Sequence, residues 1–594
     1  MIGMSIAPAR PSEIEGWWEA FESEFIDGLS YWDSQSARIK KRGPFVAAHR
    51  GSVMVNGRQV SFIIALPRRF PHQLPVFIVQ RPEELGMLPH MESDGFVCYA
   101  EREETIVDPS NPTGILRDAL ACVREVLEAG LTGANHDDFT EEFCAYWGSP
   151  HPKSPTIYSF IDVDDQIREV FVALPIKNGL SAFLDSPELP PPFGLAKQRR
   201  QCRFRKSIFV PFPTGVSLRP PPYGEMWTVD ELREILRTNL TEAGWNSLKR
   251  LAASQHGSDY YLLLSLPRQS GDPALFGIHL KRSDGRNHSR PHPLVSPGEA
   301  FTAAPLTVKR MDREFLVQRG GGYPELINRH VTVVGCGAVG SVVADQLAKA
   351  GVGKLTLVDP DILSVDNTFR HKLGESAWQQ RKAEALRADL STHFPYLTTN
   401  AVPERIEDVL ERSPDFLANT DLLVVAIGEP NIELVLNKFL HTTLSSPPAI
   451  FTWLEPLGIG GHALLTNGCG IGGCFACLYD PHHSSSQDAG LANAAAFTAP
   501  GQSFAQRPGG CRTAFVPYGA VHATQTACLT VQLATDFLRG FVDDHPLLSW
   551  KSENADFHRE GYQPSRRADY DRQTIFDQRF MYKSPTCRIC SPCH

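Results

Sequence analysis

Hydrophobic positions recur with two different periods in the first part of the chain. Apolar side chains spaced three and four residues apart predict helices over Pro11–Ile26 and Thr113–Leu131. Between them, apolar runs predict three strands, Phe45–Val55, Gln59–Leu66 and Val76–Val79. The order helix, meander, helix indicates an α+β domain over residues 1–150.

Residues 151–300 carry a weaker pattern. Helical spacing predicts a helix over Val229–Asn239, and apolar runs predict strands over Tyr260–Leu266 and Ala274–Leu280. The proline-rich stretch Ser186–Gly194 is predicted to be stiff and extended. We interpret this segment as a linking domain, and no motif in it assigns a role.

The pattern changes again in the third segment, residues 301–594. From Val331 onwards, apolar runs alternate with helical spacing, which is typical of a parallel, doubly wound α/β sheet of Rossmann type. The predicted elements are a strand VTVVGCG that ends in glycines, a helix over Ala338–Ala350, a strand KLTLVD, a helix over Trp378–His393 and a strand over Asp421–Gly428.

Length and composition narrow the class of protein. A chain of 594 residues is too long for one core, and 42% apolar with 21% charged residues is typical of globular proteins. The net charge of −9 gives no reason to expect a nucleic-acid or membrane partner. No apolar stretch has membrane-spanning length, and the N-terminus lacks the apolar core of a signal peptide. The odd count of 13 cysteines favours a reducing, cytoplasmic location.

Gly335, Gly337 and Gly340 form a GxGxxG motif between a predicted strand and a predicted helix. Such glycines let backbone N–H groups approach a phosphate, and the helix N-terminus adds partial positive charge. Asp359 follows 19 residues after Gly340, at the end of the next strand, where an acid suits a ribose hydroxyl. This motif alone also fits a NAD-dependent oxidoreductase, which stays an alternative.

The residues that follow favour a different reaction. Asp361, Asn367, Arg370 and Lys382 combine an acid, an amide and two cations. Hydride transfer does not need this set, whereas a site that joins ATP to a carboxylate does. Arg370 and Lys382 would neutralise phosphate charge as pyrophosphate leaves, and Mg²⁺, which prefers oxygen ligands, would bridge the phosphates.

The run GCGAVGS…GVGKLTLVDPDILSVDNTFR…RKAEAL resembles the nucleotide motif of the ThiF/HesA/MoeB superfamily of ubiquitin-like activating enzymes. Members of that superfamily adenylate the C-terminal glycine of a ubiquitin-like protein. The resemblance implies an ATP-dependent adenylyltransferase whose nucleotide site includes Asp359, Asn367, Arg370 and Lys382.

The same resemblance implies three further features. The superfamily places a magnesium-binding aspartate after a later strand, and the nearest acid in this chain is Glu429. It also uses an arginine supplied by the partner subunit, for which Arg313 is the candidate. The adenylation domains of the superfamily usually form homodimers, so we expect one here.

Two CxxC pairs lie far apart in the sequence, Cys474 with Cys477 and Cys587 with Cys590. Each pair can fill two of the four tetrahedral positions around Zn²⁺, so together they predict a closed, structural site. The same two pairs occur in many members of the superfamily, where zinc would hold the end of the chain on the adenylation domain. Unliganded thiols or a redox pair remain the alternative.

Cys511 follows Pro508-Gly509-Gly510 and precedes a predicted helix of small residues. The superfamily keeps a cysteine at this place. An adenylate is a mixed anhydride, so a thiolate can displace AMP from it and form a thioester. We therefore predict that Cys511 is a catalytic nucleophile, with an ordinary buried thiol as the alternative.

The N-terminal segment RFPHQLPVF, followed by His90 and Cys98, resembles ubiquitin-conjugating enzymes. The resemblance implies that Cys98 accepts the acyl group from Cys511 by thioester exchange and offers it to an amine. The Pro-Asn that follows the histidine in that family is absent here, since the chain reads His90-Met91-Glu92. We expect His90 to be structural, and a buried core cysteine is the alternative for Cys98.

The order of the segments resembles the fused activating and conjugating, CD-NTase-associated enzymes of bacterial CBASS anti-phage operons. That resemblance implies that the activated protein is a CD-NTase, a cGAS-like nucleotidyltransferase, and that its C-terminus is joined to target amines to prime anti-phage signalling. A sulfur-carrier adenylyltransferase of the thiamin or molybdopterin type is a rival, but it would not need residues 1–150. A scaffold without enzymatic activity is a third.

Overall fold

Two compact units, Met1–Asp312 and Arg313–His594, make up the chain. The computed structural model describes residues 10–101, 104–148, 154–177, 179–189, 202–283, 290–295, 301–443, 445–467, 472–480, 493–507, 515–553 and 555–591. Over these residues, no helix is both long enough and apolar enough to cross a membrane.

The first part of the N-terminal unit is a four-stranded antiparallel meander with helices beside it. Its strands are β1 Ser30–Tyr31, β2 Phe45–Val55, β3 Arg58–Pro67 and β4 Val76–Val79. Its helices are α1 Pro11–Phe21, α2 Ala37–Lys40, α3 Pro82–Leu85, α4 Pro112–Thr132, α5 Asp138–Glu141 and α6 Phe143–Gly148. The predicted order helix, meander, helix is confirmed.

Helices α1 and α4 pack together and share one core with the meander. Trp18 and Phe21 from α1, Val123 from α4 and Phe62 from β3 are buried in it. The first helix was predicted to reach Ile26, but it ends at Phe21. The chain then turns towards the sheet, where the Ile26 N–H donates to the Ser52 carbonyl at 2.9 Å.

A closed barrel follows, with strand order β10-β11-β13-β5-β7-β6-β8. The bounds of its strands and of the short β9–β12 pair beside it are β5 Thr156–Ser159, β6 Arg168–Pro175, β7 Ala182–Leu184, β8 Cys202–Pro211, β9 His256–Gly257, β10 Asp259–Leu266, β11 Ala274–Arg282, β12 Arg290–Pro291 and β13 Phe301–Arg310. Two helices accompany it, α7 Val229–Asn239 and α8 Glu242–Ala253.

The barrel corrects one predicted boundary. We placed the start of the C-terminal domain at residue 301, but β13 pairs with β11 and β5 of the barrel, and the C-terminal unit begins at Arg313. Pairing between strands so distant in sequence leaves no local signal. Of the stretch predicted to be extended, residues 190–194 lie outside the described part of the chain.

The C-terminal unit is built on a seven-stranded sheet of order β16-β15-β14-β17-β18-β19-β20. Its strands are β14 His330–Val334, β15 Lys354–Val358, β16 Thr398–Val402, β17 Leu422–Val425, β18 Ala449–Leu454, β19 Gly460–Thr466 and β20 Leu547–Lys551. Its helices are α9 Arg313–Arg319, α10 Ala338–Ala350, α11 Lys382–His393, α12 Ile406–Arg412, α13 Pro430–Thr442, α14 Ala520–Leu538, α15 Ala555–Arg559 and α16 Arg572–Asp577.

The pairing within this sheet locates a crevice. Strands β14 to β18 are parallel, and β19 and β20 add antiparallel pairs at one side. The predicted doubly wound sheet is therefore confirmed. Its strand order reverses between β14 and β17, and ligands of such sheets bind beyond the carboxyl ends of the strands at that reversal.

Two predicted elements have different ends. The helix predicted from Trp378 begins at Lys382, because Gln379 has a positive φ of 63° and the Gln380 carbonyl accepts the Leu363 N–H at 2.8 Å. The strand predicted to run to Gly428 ends at Val425, and Gly428 has a φ of 75°.

Candidate functional site

The glycine loop lies at the reversal point, between the ends of β14 and β17. Gly335 has a φ of 90°, and a Cβ there would lie 2.4 Å from the Ala426 carbonyl oxygen. A Cβ on Gly340 would lie 1.8 Å from the Gly335 oxygen. Gly337, the N-cap of α10, faces open space. Two glycines are therefore required for packing, and the third leaves the helix N-terminus open to an anion.

Asp359 ties this loop to the end of β15. One carboxylate oxygen accepts the Cys336 N–H at 2.7 Å, and the other accepts the Asp361 N–H at 2.8 Å. Burial raises the pKa of Asp359, and the positive charge of Lys382 acts against that shift. The carboxylate thus shapes the loop itself, and its predicted contact with ribose stays a prediction.

Lys382 places a cation at the same edge of the sheet. It is the first residue of α11, and its Nζ lies 2.8 Å from an Asp361 carboxylate oxygen. The Lys382 side chain is 12% exposed, whereas that of Asp361 is 63% exposed. A largely buried ammonium next to a solvated carboxylate can exchange that partner for an anion entering the crevice.

Arg370 and Asn367 belong to the turn after β15. The Asn367 side-chain oxygen accepts from the backbone N–H of Ser364 at 3.3 Å, which closes the turn. The Arg370 guanidinium lies 5.1 Å from the ring centroid of Tyr518. Tyr518 lies shortly after residues 508–514, which are outside the described part of the chain. Cys511 is one of these residues, so its role as a nucleophile stays a prediction.

His371 is a residue of this site that the sequence analysis missed. Its Nε2–H donates to the Cys336 carbonyl at 2.7 Å, and its Nδ1 accepts the Leu373 N–H at 3.2 Å. Burial lowers the pKa of His371, so the ring is neutral and braces the glycine loop. Its sequence signal is only its position directly after Arg370.

Two glutamates lie at the end of β17. Glu429, the predicted magnesium ligand, is exposed and forms the N-cap of α13. One helical turn later, Glu433 is buried at 2% exposure and accepts the Gly428 N–H at 3.0 Å. Burial raises the pKa of Glu433 to about 7. The sequence analysis missed Glu433, because a glutamate inside a helix normally faces water.

Arg313 lies at the other end of the sheet strands. It begins α9, and its guanidinium lies against Gly353, where an added Cβ would be only 2.5 Å from a guanidinium nitrogen. Gly353 precedes the amino end of β15, whereas Asp359 follows the carboxyl end. Arg313 is therefore remote from the crevice of its own chain.

The four predicted cysteines form one buried cluster. Their sulfur atoms all lie within 4.8 Å of one another, with 3.7 Å between Cys474 and Cys587 and 3.5 Å between Cys477 and Cys590. Four sulfurs at about 2.3 Å from Zn²⁺ in a tetrahedron would be about 3.8 Å apart, so the cluster fits that ion. A hydrogen bond with Cys474 lowers the pKa of Cys477, which favours the thiolate form that binds a metal ion.

Asn437 supports this cluster from α13. Its Nδ2 donates to the Cys474 sulfur at 3.5 Å, and its Oδ1 accepts the Phe475 N–H at 3.1 Å. Outer partners of this kind orient metal ligands. Asn437 is fully buried and was not found from the sequence, because its role depends on the packing of α13 against the CxxC turn.

Cys98 is exposed, so the alternative of a buried core cysteine is wrong. A cavity of about 440 Å³ opens beside it, with Leu74, Pro75 and Glu101 among its walls. The neighbouring Val97 is fully buried. Val97 therefore anchors the chain in the core, and the thiol of the next residue, Cys98, faces solvent.

His90 is structural, as expected. Its Nε2 lies 2.9 Å from an Asp138 oxygen and its Nδ1 lies 3.2 Å from a Glu142 oxygen. The contact with Glu142 has the larger effect, and the two contacts together raise the pKa of His90 to about 9. The imidazolium is therefore charged at neutral pH and fixed between two carboxylates.

Two family models match separate parts of the chain. The ThiF family matches residues 312–563, which contain the glycine loop, Asp359 and Lys382. Prokaryotic E2 family B matches residues 35–154, which contain Cys98. The ThiF match decides against the oxidoreductase alternative.

Some relatives span most of the chain, and others match a smaller part of it. An "ATP-dependent ubiquitin transferase-like protein Cap2" of Pseudomonas aeruginosa is 25% identical over 77% of this chain and 81% of its own length. The Escherichia coli protein of the same name is 23% identical over 68% of this chain and 74% of its own. "Adenylyltransferase and sulfurtransferase UBA4" of Saccharomyces cerevisiae is 27% identical over 29% of this chain and 38% of its own length. The chain therefore belongs with the fused ubiquitin-like activating and conjugating enzymes, and joins a ThiF family domain to a prokaryotic E2 domain.

Proposed function

We propose that this chain adenylates the C-terminal carboxylate of a CD-NTase, carries the acyl group on Cys511 and then Cys98, and joins it to an amine of a target protein. The main support is that one chain contains both the glycine loop with Lys382 beside it and an exposed Cys98 in the domain that matches prokaryotic E2 family B.

The first step activates the carboxylate. A carboxylate oxygen attacks the α-phosphorus of ATP, the bond from that phosphorus to the bridging oxygen breaks, and pyrophosphate leaves with the electron pair. Lys382 and Arg370 offset the charge that develops on the phosphates. Mg²⁺, held by the exposed carboxylate of Glu429, would neutralise part of the same charge.

The later steps pass the acyl group between sulfurs. The Cys511 thiolate attacks the acyl carbonyl and AMP leaves, after which the Cys98 thiolate displaces Cys511 in the same way. Attack by a target amine forms the amide and releases the Cys98 thiolate. With both thiols on one chain, the effective concentration of the second is roughly millimolar for a suitable linker.

Three further assignments are part of this proposal. A homodimer would supply Arg313 to the crevice of the partner, which is consistent with its place far from the crevice of its own chain. The cluster of four cysteines would hold a structural Zn²⁺. A reducing cytoplasm would keep both catalytic thiols reactive.

Intact-protein mass spectrometry tests the relay. The chain is mixed with ATP, magnesium and a CD-NTase as the proposed substrate. We expect Cys98→Ala to trap a thiol-sensitive adduct on Cys511, and Cys511→Ala to form no thioester but still to make the adenylate. Cys122→Ala, which removes an exposed thiol of α4, is the control and should behave as wild type. Normal conjugation by Cys98→Ala would contradict the proposal.

A second candidate is a sulfur-carrier adenylyltransferase, favoured by the similarity to the adenylyltransferase UBA4. It shares the adenylation step but gives Cys98 no task. The same experiment separates the two, because a sulfur-carrier enzyme would leave Cys98 without an acyl group.

A further inference from the structure

Cys98 closes a tight hairpin, residues 90–98, which we call the Cys98 hairpin. The Cys98 N–H donates to the His90 carbonyl at 2.8 Å, and Met91 pairs with Val97 as an isolated antiparallel bridge. Between them, the Glu92 N–H donates to the Phe96 carbonyl at 2.8 Å. The backbone at Cys98 is therefore fixed through His90 and Met91.

Helices α5 and α6 hold the His90 end of this hairpin. The His90 N–H donates to the Tyr146 hydroxyl at 2.8 Å, and that hydroxyl donates to Glu142 at 2.6 Å. The His90 ring is fixed by Asp138 and Glu142. His90 also has a positive φ of 59°, a conformation that persists only where surrounding contacts impose it.

These two helices are in turn anchored on the barrel. The ring of Phe143 lies 4.5 Å from the ring of Phe276, and the Trp147 indole N–H donates to the Gly277 carbonyl at 3.2 Å. Both partners belong to β11. The barrel therefore supports the hairpin indirectly through α6.

The barrel also contacts the hairpin directly. In the segment between β8 and α7, the Tyr223 hydroxyl donates to the Met91 carbonyl of the hairpin, and Arg219 donates at 3.0 Å to the carbonyl of Met87, three residues before the hairpin. Burial raises the pKa of Tyr223, so its hydroxyl keeps the proton that it donates. Met91 is fully buried, so its carbonyl needs a hydrogen-bond partner, and Tyr223 of the barrel segment is that partner.

We infer that the barrel, residues 156–310, positions the Cys98 hairpin for acyl transfer, and that Tyr223 is the positioning residue. This inference rests on the proposed role of Cys98. It gives the linking segment a role: contacts from the barrel hold the Cys98 hairpin in one conformation, which the few hydrogen bonds within so short a hairpin would otherwise have to do. Tyr223 acts through Met91 and touches no reacting atom.

The test uses the full chain with Tyr223→Phe, which removes one hydroxyl and leaves the ring. Tyr260→Phe is the matched control, because the Tyr260 hydroxyl also bonds backbone, accepting the Gly257 N–H at 2.7 Å, elsewhere in the barrel. The first readout is hydrogen exchange of the Cys98 amide, which is protected by its bond to His90. The second is discharge of the Cys98 thioester onto free lysine.

We expect faster exchange at Cys98 and a fall of about tenfold in the maximal discharge rate with the KM for lysine unchanged, since a small misplacement of a reacting group costs rate rather than affinity. Tyr260→Phe should change neither. Wild-type exchange and discharge in Tyr223→Phe, or equal losses in both variants, would overturn the inference. Exchange needs no acyl cargo, so it decides the positioning claim even if Cys98 proves not to carry the acyl group.

Discussion

His90 shows how a single residue can link pH to the order of the Cys98 hairpin. Its contacts with Glu142 and Asp138 raise its pKa to about 9, and the contact with His90 lowers the pKa of Glu142. The unfolded chain would have an ordinary histidine pKa of about 6.5. Because the folded value is the higher one, the stabilisation is complete below pH of about 6.5 and is lost as pH rises through 9.

We therefore predict that wild type loses stability relative to His90→Gln between pH of about 6.5 and 9. The measurement is the urea midpoint of the N-terminal unit at several pH values. His72→Gln, at an exposed histidine of the same unit, is the control and should follow wild type. An advantage of wild type over His90→Gln that does not shrink with rising pH would contradict the account.

Lys382 carries the second prediction at this scale. Lys382→Ala should lower the rate of adenylate formation by about 10²-fold to 10³-fold, because it removes a positioned charge from the phosphates. Lys349→Ala is the control, since Lys349 also pairs with a carboxylate, that of Asp345, but in the last turn of α10, at the opposite end of that helix from the glycine loop. Single-turnover AMP formation measures both, and equal rates in the two variants would remove Lys382 from the site.

The sequence could predict site residues where a motif fixes both neighbours and spacing. Gly335, Asp359 and Lys382 are of this kind, and the fold brings all three to one edge of the sheet. His371 and Glu433 could not be predicted, because their importance comes from burial against elements distant in sequence. The role of a buried polar side chain depends on its hydrogen-bond partners, and these are known only from the folded structure.

Among the secondary-structure elements, helix α13 connects the end of β17, beside the crevice, with the cluster of four cysteines. Glu433, Asn437 and His441 recur every four residues and so share one face. Glu433 binds Gly428 at one end, Asn437 binds Cys474 in the middle, and the His441 ring approaches the Thr466 hydroxyl at 3.4 Å. This buried polar face fixes the helix in register between the two sites.

Asn437→Ala should destabilise the C-terminal unit by about 1–3 kcal/mol, because it leaves the buried Phe475 N–H without its acceptor. It should also speed the loss of zinc to a chelator, as outer partners orient the ligands. Asn431→Ala, near the N-terminus of the same helix, is the control. The measurements are thermal unfolding and zinc release, and release at the wild-type rate would show that Asn437 supports only the fold.

Elements were predicted best where the local period was strong. Helices α7 and α10 have their predicted ends, because each has a clear apolar stripe and a defined start. The start of α11 was wrong because residues 379–381 pair with residues 362–363, which no local pattern reveals. The barrel was missed for the same reason, since β13 closes against β5 across most of the linking segment.

Considering the whole molecule, both cysteines of the proposed relay, Cys511 and Cys98, belong to one chain. Transfer from Cys511 to Cys98 should therefore have a rate constant that does not change with enzyme concentration, as expected for a step within one assembly. The measurement is quenched-flow gel analysis of preloaded enzyme over a wide dilution range. A rate that rises in proportion to enzyme concentration would show transfer between separate assemblies.

The central claim is that the crevice between β14 and β17 activates a carboxylate with ATP. ATP–pyrophosphate exchange with this chain, magnesium and a CD-NTase, the proposed substrate, measures that reaction. We expect exchange that requires the CD-NTase and stops when the C-terminal residues of the CD-NTase are removed. No exchange with the intact CD-NTase, or equal exchange with the truncated one, would contradict it.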